Sequence, residues 1–315
     1  MAVLLAYFSV VLIWATTPLT IQWSSDSLSF IAAVLLRMSI ALFIGVVINA
    51  VLGRKMFALP SAWKVYVAGA IGIFPNMPVV YWSAQKIPSG LVAVVFAMSP
   101  FVTGLMSFLL LKQNPFNARR VFALMLALVG LMIIFHHQFH FNAHSALGVG
   151  GILASCFMFS FSAVLVKKLD IKVDAFNQAI GTLLFALPGL LLSWFLLDGH
   201  LPGLISSKSL LSIGYLSIFG SLIGASLFFY VLANMSATAV SLITLMTPVL
   251  ALIIGAQVAG EVLSGELWMG AGLVVLALLF YLDVALGVAL FQGLGRRVCR
   301  ESLRQLIVSS ATRLK

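Results

Sequence analysis

Charge is scarce in this sequence. Of 315 residues, 8% are Asp, Glu, Lys or Arg and only 8 are acidic, where a soluble domain carries roughly a quarter of its residues as charged types. With 62% of the chain hydrophobic, no soluble fold of this length could cover so much apolar surface. Cysteine is almost missing too: Cys156 lies inside an apolar run and Cys299 in a basic tail, so no disulfide framework is implied. The shortage of acid leaves a formal charge of +10, which alone would suggest a nucleic-acid partner. The basic residues, however, sit in short segments between apolar runs. That is the distribution of membrane-topology signals rather than of a phosphate-binding face, and no nucleic-acid partner is expected. The N-terminus lacks both a basic n-region and a small-x-small cleavage site, so its apolar stretch is expected to remain as a first helix.

Long apolar runs take the place of what is missing. A bilayer core needs about 20 apolar residues per helix. Runs of that length fall near 3–22, 29–51, 64–83, 89–111, 119–136, 147–166, 175–197, 209–231, 237–258 and 267–288. The expected fold class is therefore an all-α integral membrane protein with ten transmembrane helices. Short loops make neighbouring helices antiparallel. Arg54, Lys55, Lys64, Lys112, Arg119, Arg120, Lys167, Lys168, Lys172 and the tail residues Arg296, Arg297, Arg300, Arg304, Arg313 and Lys315 all fall on one side under strict alternation. The other side holds Lys86 and Lys208, and Arg37 lies within a span. Because cytoplasmic loops retain Lys and Arg, both termini are predicted cytoplasmic in a cell inner (plasma) membrane.

Two segments share a pattern at an offset of 148 residues: Met98-Ser99-Pro100 falls on Met246-Thr247-Pro248, Val92 on Val240 and Ala123 on Ala271. Five helices per half is odd, so the second half is inserted upside down relative to the first, a common transporter construction with the site between the halves. The expected units are residues 1–140 and 146–288, each a five-helix repeat, followed by a basic cytoplasmic tail over 289–315.

Thr247-Pro248, Gly260-Glu261 and Gly270 at their spacing, with Trp14-Ala15, Arg37 and Tyr230…Ala233…Ser236-Ala237, resemble the drug/metabolite transporters of the two-repeat EamA type. The resemblance covers about residues 3–288. It implies a ten-helix carrier that exports a small metabolite, amino acid or drug-like solute. One departure is that the first half has Gln113 where the second has Glu261.

Prolines inside spans, notably Pro100 and Pro248, free backbone carbonyls that must find partners or line a wet cavity. If these bends face a shared central cavity, the solute pathway would include Trp14, Thr17, Asn76, Tyr81, Trp82, Ser99, Thr103, Ser162, Tyr230, Thr244 and Thr247, with Thr16, Ser160 and Ser241 nearby. Such a lining suits a neutral, zwitterionic or amphipathic solute through aromatic contact and a few hydrogen bonds. Any one of these hydroxyls could instead bond its own helix carbonyl. Arg37 lies about two turns inside the outer end of the second helix, where an unpaired charge costs a few kcal/mol. The first expectation for it is snorkelling to the outer headgroups along its aliphatic stem; the other is a structural or substrate-facing role. Glu261 is expected to cap a helix start or pair across a loop rather than couple transport.

His136, His137, His140 and His144 lie in the outer loop between the halves and His200 also lies outside the spans. They are expected to form an irregular interfacial loop without a bound metal, and no cofactor is expected. The basic tail, with Val298, Leu303, Leu306 and Ile307 interleaved, could lie along an anionic lipid surface or fray. An intramembrane enzyme fits poorly, since every His is outside the spans and Asp283 alone cannot make a two-aspartate site. A channel or a scaffold without transport stays open.

Overall fold

The structure is a computed structural model that describes residues 1–87, 89–135, 143–200, 204–250 and 265–281. Glu261, His136, His137, His140, Asp283 and the basic tail lie outside the described residues. Each of the ten apolar segments carries helix. Spans two, five, six and seven are single helices, Phe30–Val51, Ala118–Phe135, Ala143–Leu169 and Ala175–Leu197. The tenth, Gly265–Tyr281, is described to that residue. Among the described residues six helices are long and apolar enough to cross a membrane, beside shorter apolar ones such as Ala237–Leu250. Large apolar side chains face outward on them, including Phe43, Phe195 and Leu211 at 71–74% exposure. A surface of that kind has lipid as its solvent, and the protein is an all-α integral membrane protein.

Polar residues at the span ends set where the helices begin. Ser29, Asp174, Ser206 and Ser236 each stand at an N-cap, and their side chains accept from the backbone N–H groups of Ala32, Asn177, Ser209 and Ala239. Each satisfies one of the donors that a helix start leaves orphaned. Contacts between loops then join the ends. Arg54 meets Asp174 at 3.5 Å and Asn49 donates to Asn177 at 2.8 Å. At the other end Lys208 approaches Asp26 at 4.0 Å and the Ser206 amide donates to Ser27 Oγ at 3.0 Å. Both sets join loops that strict alternation of spans puts on the same side.

The remaining spans are broken, each for a local reason. The first divides into Ala2–Ala15 and Thr17–Ser24. Pro18 has no N–H to offer the preceding turn, and the Thr16 and Thr17 hydroxyls donate to the Ile13 carbonyl at 2.8 and 3.2 Å. The third stops at Ala70 and resumes as Asn76–Ala84 after turns through Gly72 and Pro75. The fourth divides into Ser89–Phe96 and Ser99–Leu111, with Pro100 in the first turn of the second piece, where its missing donor is least felt. The eighth needs no proline: between Ser207–Tyr215 and Gly224–Asn234 it winds as a π-helix over Leu216–Ile223. The ninth runs Ala237–Ser241 and then turns at Leu242 before continuing.

Spans five and ten pack on each other through Gly130 and Gly270. A Cβ on either would stand 2.6–2.7 Å from the other's carbonyl oxygen, so only glycine permits this approach. Their shared apolar cluster includes Leu124, Leu131 and Val274. Among the described residues this pair does not line the central cavity, to which the other eight spans contribute.

Candidate functional site

The cavity has a volume of about 180 Å³ and lies where the broken spans meet. An apolar cavity of roughly 150 Å³ already admits a benzene ring, so this one has room for a small ring-bearing solute. The first span lends Trp14, Thr17, Pro18 and Ile21, and the second Arg37 and Met38. The broken third lends the longest stretch, from Gly69 and Gly72 through Asn76 and Met77 to Ala84. Phe159 and Ser162 come from the sixth span, Gly220, Ser221, Phe228 and Phe229 from the eighth, and Thr244 and Thr247 from the ninth.

One wall is aromatic. Trp14 stacks on Phe228 with centroids 5.2 Å apart and meets Phe159 edge-on at 5.9 Å, while Phe159 and Phe228 lie 5.4 Å apart. The lining also includes the interruption of the third span. Ser162 Oγ donates to the carbonyls of Ala68 and Gly69 at 2.7 and 3.2 Å, the latter also taking the Gly72 amide at 2.9 Å in the turn that ends the helix. Asn76, fully buried, donates to Gly72 O at 2.9 Å and accepts from Ser155. The break that puts polar backbone at the cavity is thus held by hydroxyl and amide side chains from neighbouring turns, as non-helical backbone at membrane depth requires.

Arg37 does not snorkel. It is 4% exposed; its Nε donates to Ser221 Oγ at 2.7 Å and Nη1 to the Tyr81 hydroxyl at 3.2 Å. The helical face decided this rather than the depth. Ala33 and Ala41, one turn to either side, are both fully buried, so Arg37 stands on the stripe that faces the bundle and its stem cannot turn to the lipid headgroups. Small residues at 33, 41 and 45 around a lone charge were the signal available in the sequence.

Of the residues singled out from sequence, Trp14, Thr17, Asn76, Ser162, Thr244 and Thr247 line the cavity together with Arg37. Tyr81 stands behind Arg37 as its hydrogen-bond partner. Ser99 and Thr103 form a polar seam with the sixth span, Thr103 Oγ1 meeting Ser160 Oγ at 2.9 Å and Ser99 Oγ donating to Cys156 Sγ at 3.5 Å. Trp82 lies under Lys86 Nζ at 4.5 Å near the end of its helix, away from the lining. Tyr230 packs in the cluster that joins the first and eighth spans. Pro100 and Pro248 are buried in helical turns and do not line the cavity. Thr244 and Thr247 donate to carbonyls of their own helix, at 2.7 and 3.3 Å. Selection by polarity missed the apolar half of the site: Met38, Met77, Phe159, Phe228 and Phe229. Its π-helical segment with Gly220 and Ser221 was missed as well.

The offset of 148 residues reappears in the lining. Trp14 and Ser162, Gly72 and Gly220, Ile73 and Ser221, Met77 and Ala225, Val80 and Phe228, and Phe96 and Thr244 are pairs at that separation, and both members of each pair line the cavity. Equivalent positions of two sequence segments therefore face one space.

Comparison with known proteins agrees with this arrangement. The profile of the EamA-like transporter family matches residues 1–136 and again 146–282. Protein PecM of Dickeya dadantii (strain 3937) is 28% identical over 279 residues, covering 87% of this chain and 90% of the relative. The uncharacterized inner membrane transporter YedA of Escherichia coli (strain K12) is 27% identical over 290 residues, 91% of each chain. The uncharacterized transporter YwfM of Bacillus subtilis (strain 168) is 26% identical over 274 residues, 84% of this chain and 88% of its own. A solved crystal structure superposes with a TM-score of 0.71 at 19% identity, over 88% of this chain and 94% of its own, and shows that the fold is one already seen.

Proposed function

The chain belongs to the EamA-like transporter family, and on that premise we propose that this membrane transporter exports a small organic solute by alternating access between two inverted five-helix halves. The observation that carries the reading is the pairing of repeat-equivalent positions around one cavity. In two inverted halves, equivalent positions have opposite orientations in the membrane. A solute seated between them meets the same set of contacts whichever half swings away, so the site can be offered to one face and then to the other. The interruptions of spans one, three, four and eight supply the joints, because a helix missing backbone bonds bends there at low cost.

The same lining argues against chemistry on the solute. Among the described residues that line it there is no His, Cys, Asp or Glu to act as acid, base or nucleophile, and the ionisable side chain present is Arg37. The Lys and Arg distribution supports cytoplasmic termini, and one relative is named as an inner membrane transporter, which supports the same location here.

Counterflow tests the mechanism. Purified protein in liposomes preloaded with an unlabelled solute should drive transient uptake of the labelled form. Solutes for that assay are those that raise the unfolding temperature of the detergent-solubilised protein. Flux that rises linearly with concentration and shows no counterflow would mean a channel instead.

A further inference from the structure

We propose that the solute is a small organic monoanion with an apolar body, its carboxylate held by Arg37, and that its export moves net negative charge across the membrane. This rests on the transport reading above and names its substrate class.

A guanidinium has five N–H donors. In Arg37 the Nε donor goes to Ser221 and one Nη1 donor to Tyr81, and the other donors meet no acceptor among the described residues. Both partners are neutral hydroxyls. No Asp or Glu stands among the described residues of the lining, so no described residue compensates the positive charge, although Arg37 is only 4% exposed. A charge withdrawn from water at membrane depth is costly unless it is paired. The cost is removed when a carboxylate enters, because the planar fork matches its two oxygens with parallel charge-assisted hydrogen bonds. The structure also keeps the fork within reach. Gly220 lines the cavity beside it, and a Cβ there would stand 2.9 Å from Nη2. Ser221, the next residue of the π-helical turn, orients the guanidinium through Nε.

One arginine neutralises one charge, which favours monoanions over phosphates and dicarboxylates. A cation would be repelled. The ammonium group of an amino acid would add a second positive charge beside Arg37, and the described lining holds no Asp or Glu to offset it. The remaining space is bounded by Trp14, Phe159 and Phe228 with the pliable Met38 and Met77, surfaces that suit a ring or short alkyl chain.

A consequence follows for energetics. Arg37 stays with the protein while the solute carries its negative charge across, so an inside-negative potential drives export. At about 2.3 kcal/mol per charge per 100 mV, the equilibrium ratio reaches roughly 50-fold. Outward accumulation then needs no titratable group in the lining.

The test uses three acids, hexanoate, phenylacetate and indole-3-acetate, each beside its neutral amide, with phenethylamine and phenylalanine as cation and zwitterion. Binding to the wild-type protein is measured by calorimetry. Flux is measured in liposomes under a potassium-valinomycin potential. At least one acid should bind tenfold or more tightly than its amide and redistribute about 50-fold per imposed 100 mV. Arg37→Lys should weaken that binding about tenfold, and Arg37→Gln should abolish the preference for acid over amide. The wild-type comparison of acid with amide needs no variant, so it stands even where Arg37→Gln fails to fold. If no acid outbinds its amide, or the flux of a bound acid ignores the potential, the assignment is overturned. Saturable flux of an amide, unaltered in Arg37→Gln, would keep the transport reading and sink this one. Arg37-dependent acid binding without flux would keep the carboxylate site and sink the transport reading.

Discussion

Phe228 offers the sharpest separation of packing from recognition. Its ring is 5% exposed, stacked against Trp14 at 5.2 Å and packed on Phe159 at 5.4 Å, with one side toward the cavity. Lipid chains are as apolar as the protein interior, so transfer free energy contributes little when a ring is removed from a helix contact. The cost comes from lost dispersion contacts and from the void. Full Phe→Ala truncation in cores costs about 3–5 kcal/mol. Because this ring already borders a cavity, Phe228→Ala should fall near the low end, about 3 kcal/mol. Phe228→Leu loses three aromatic pairs, with Trp14, Phe159 and Phe229, at about 0.5–1.5 kcal/mol each, but keeps most of the volume, so its cost should lie between roughly 1.5 kcal/mol and that of Phe228→Ala. The functional effects should diverge from that order. An aromatic solute loses its ring partner in both variants, so its half-saturation concentration should rise about 2–10-fold in Phe228→Leu as well as in Phe228→Ala. An aliphatic solute should notice Phe228→Leu little. The assays are unfolding in detergent without solute and saturable flux in liposomes. Equal stability of Phe228→Ala and wild type would refute the packing argument, and an unchanged aromatic preference in Phe228→Leu would refute the placement of the ring at the solute.

Topology is tested by single cysteines at Ser25, Ser61 and His144 in a background with Cys156 and Cys299 replaced. An impermeant maleimide added to intact cells should label the first and third, and labelling at Ser61 without permeabilisation would invert the orientation. Gly181→Ala would put a Cβ within 3.0 Å of the Tyr66 ring carbons, and that ring is fully buried. Overpacking should destabilise by about 1–3 kcal/mol, and adding Tyr66→Leu should recover part of the loss; an unaltered unfolding temperature in the single variant would contradict the contact. With the membrane potential clamped, a protonophore should leave flux unchanged and Glu261→Gln should retain transport. Concentrative uptake that collapses in both cases would identify Glu261 as a proton-coupling group.

Some of this was readable without coordinates because the bilayer imposes a one-dimensional rule. An apolar run long enough to span must satisfy its backbone within itself for want of water, so each of the ten runs read from composition carries helix among the described residues, whole or in pieces. The capping residues Ser29, Asp174, Ser206 and Ser236 stand where a polar side chain interrupts an apolar run, a local signal. Trp14, Asn76 and Ser162, singled out from sequence as polar or amphipathic groups deep in a span, line the cavity. The π-helical turn at Leu216–Ile223 carries no proline and no local mark, and its winding depends on what it packs against.

The fold class and the repeat offset are properties of the sequence alone, since hydropathy and spacing survive without knowing which helix touches which. Tertiary structure decided which face of each helix looks inward, and with it the fate of every ambiguous residue. Arg37 became a buried donor because Ala33 and Ala41 turn its stripe toward Ser221 and Tyr81, which are 184 and 44 residues away in the chain. Ser99 and Thr103 became a helix seam and Phe228 a cavity wall for the same reason. In a span that is apolar all round, the sequence carries almost no moment to say which side is inside, so that choice is made only when the helices pack.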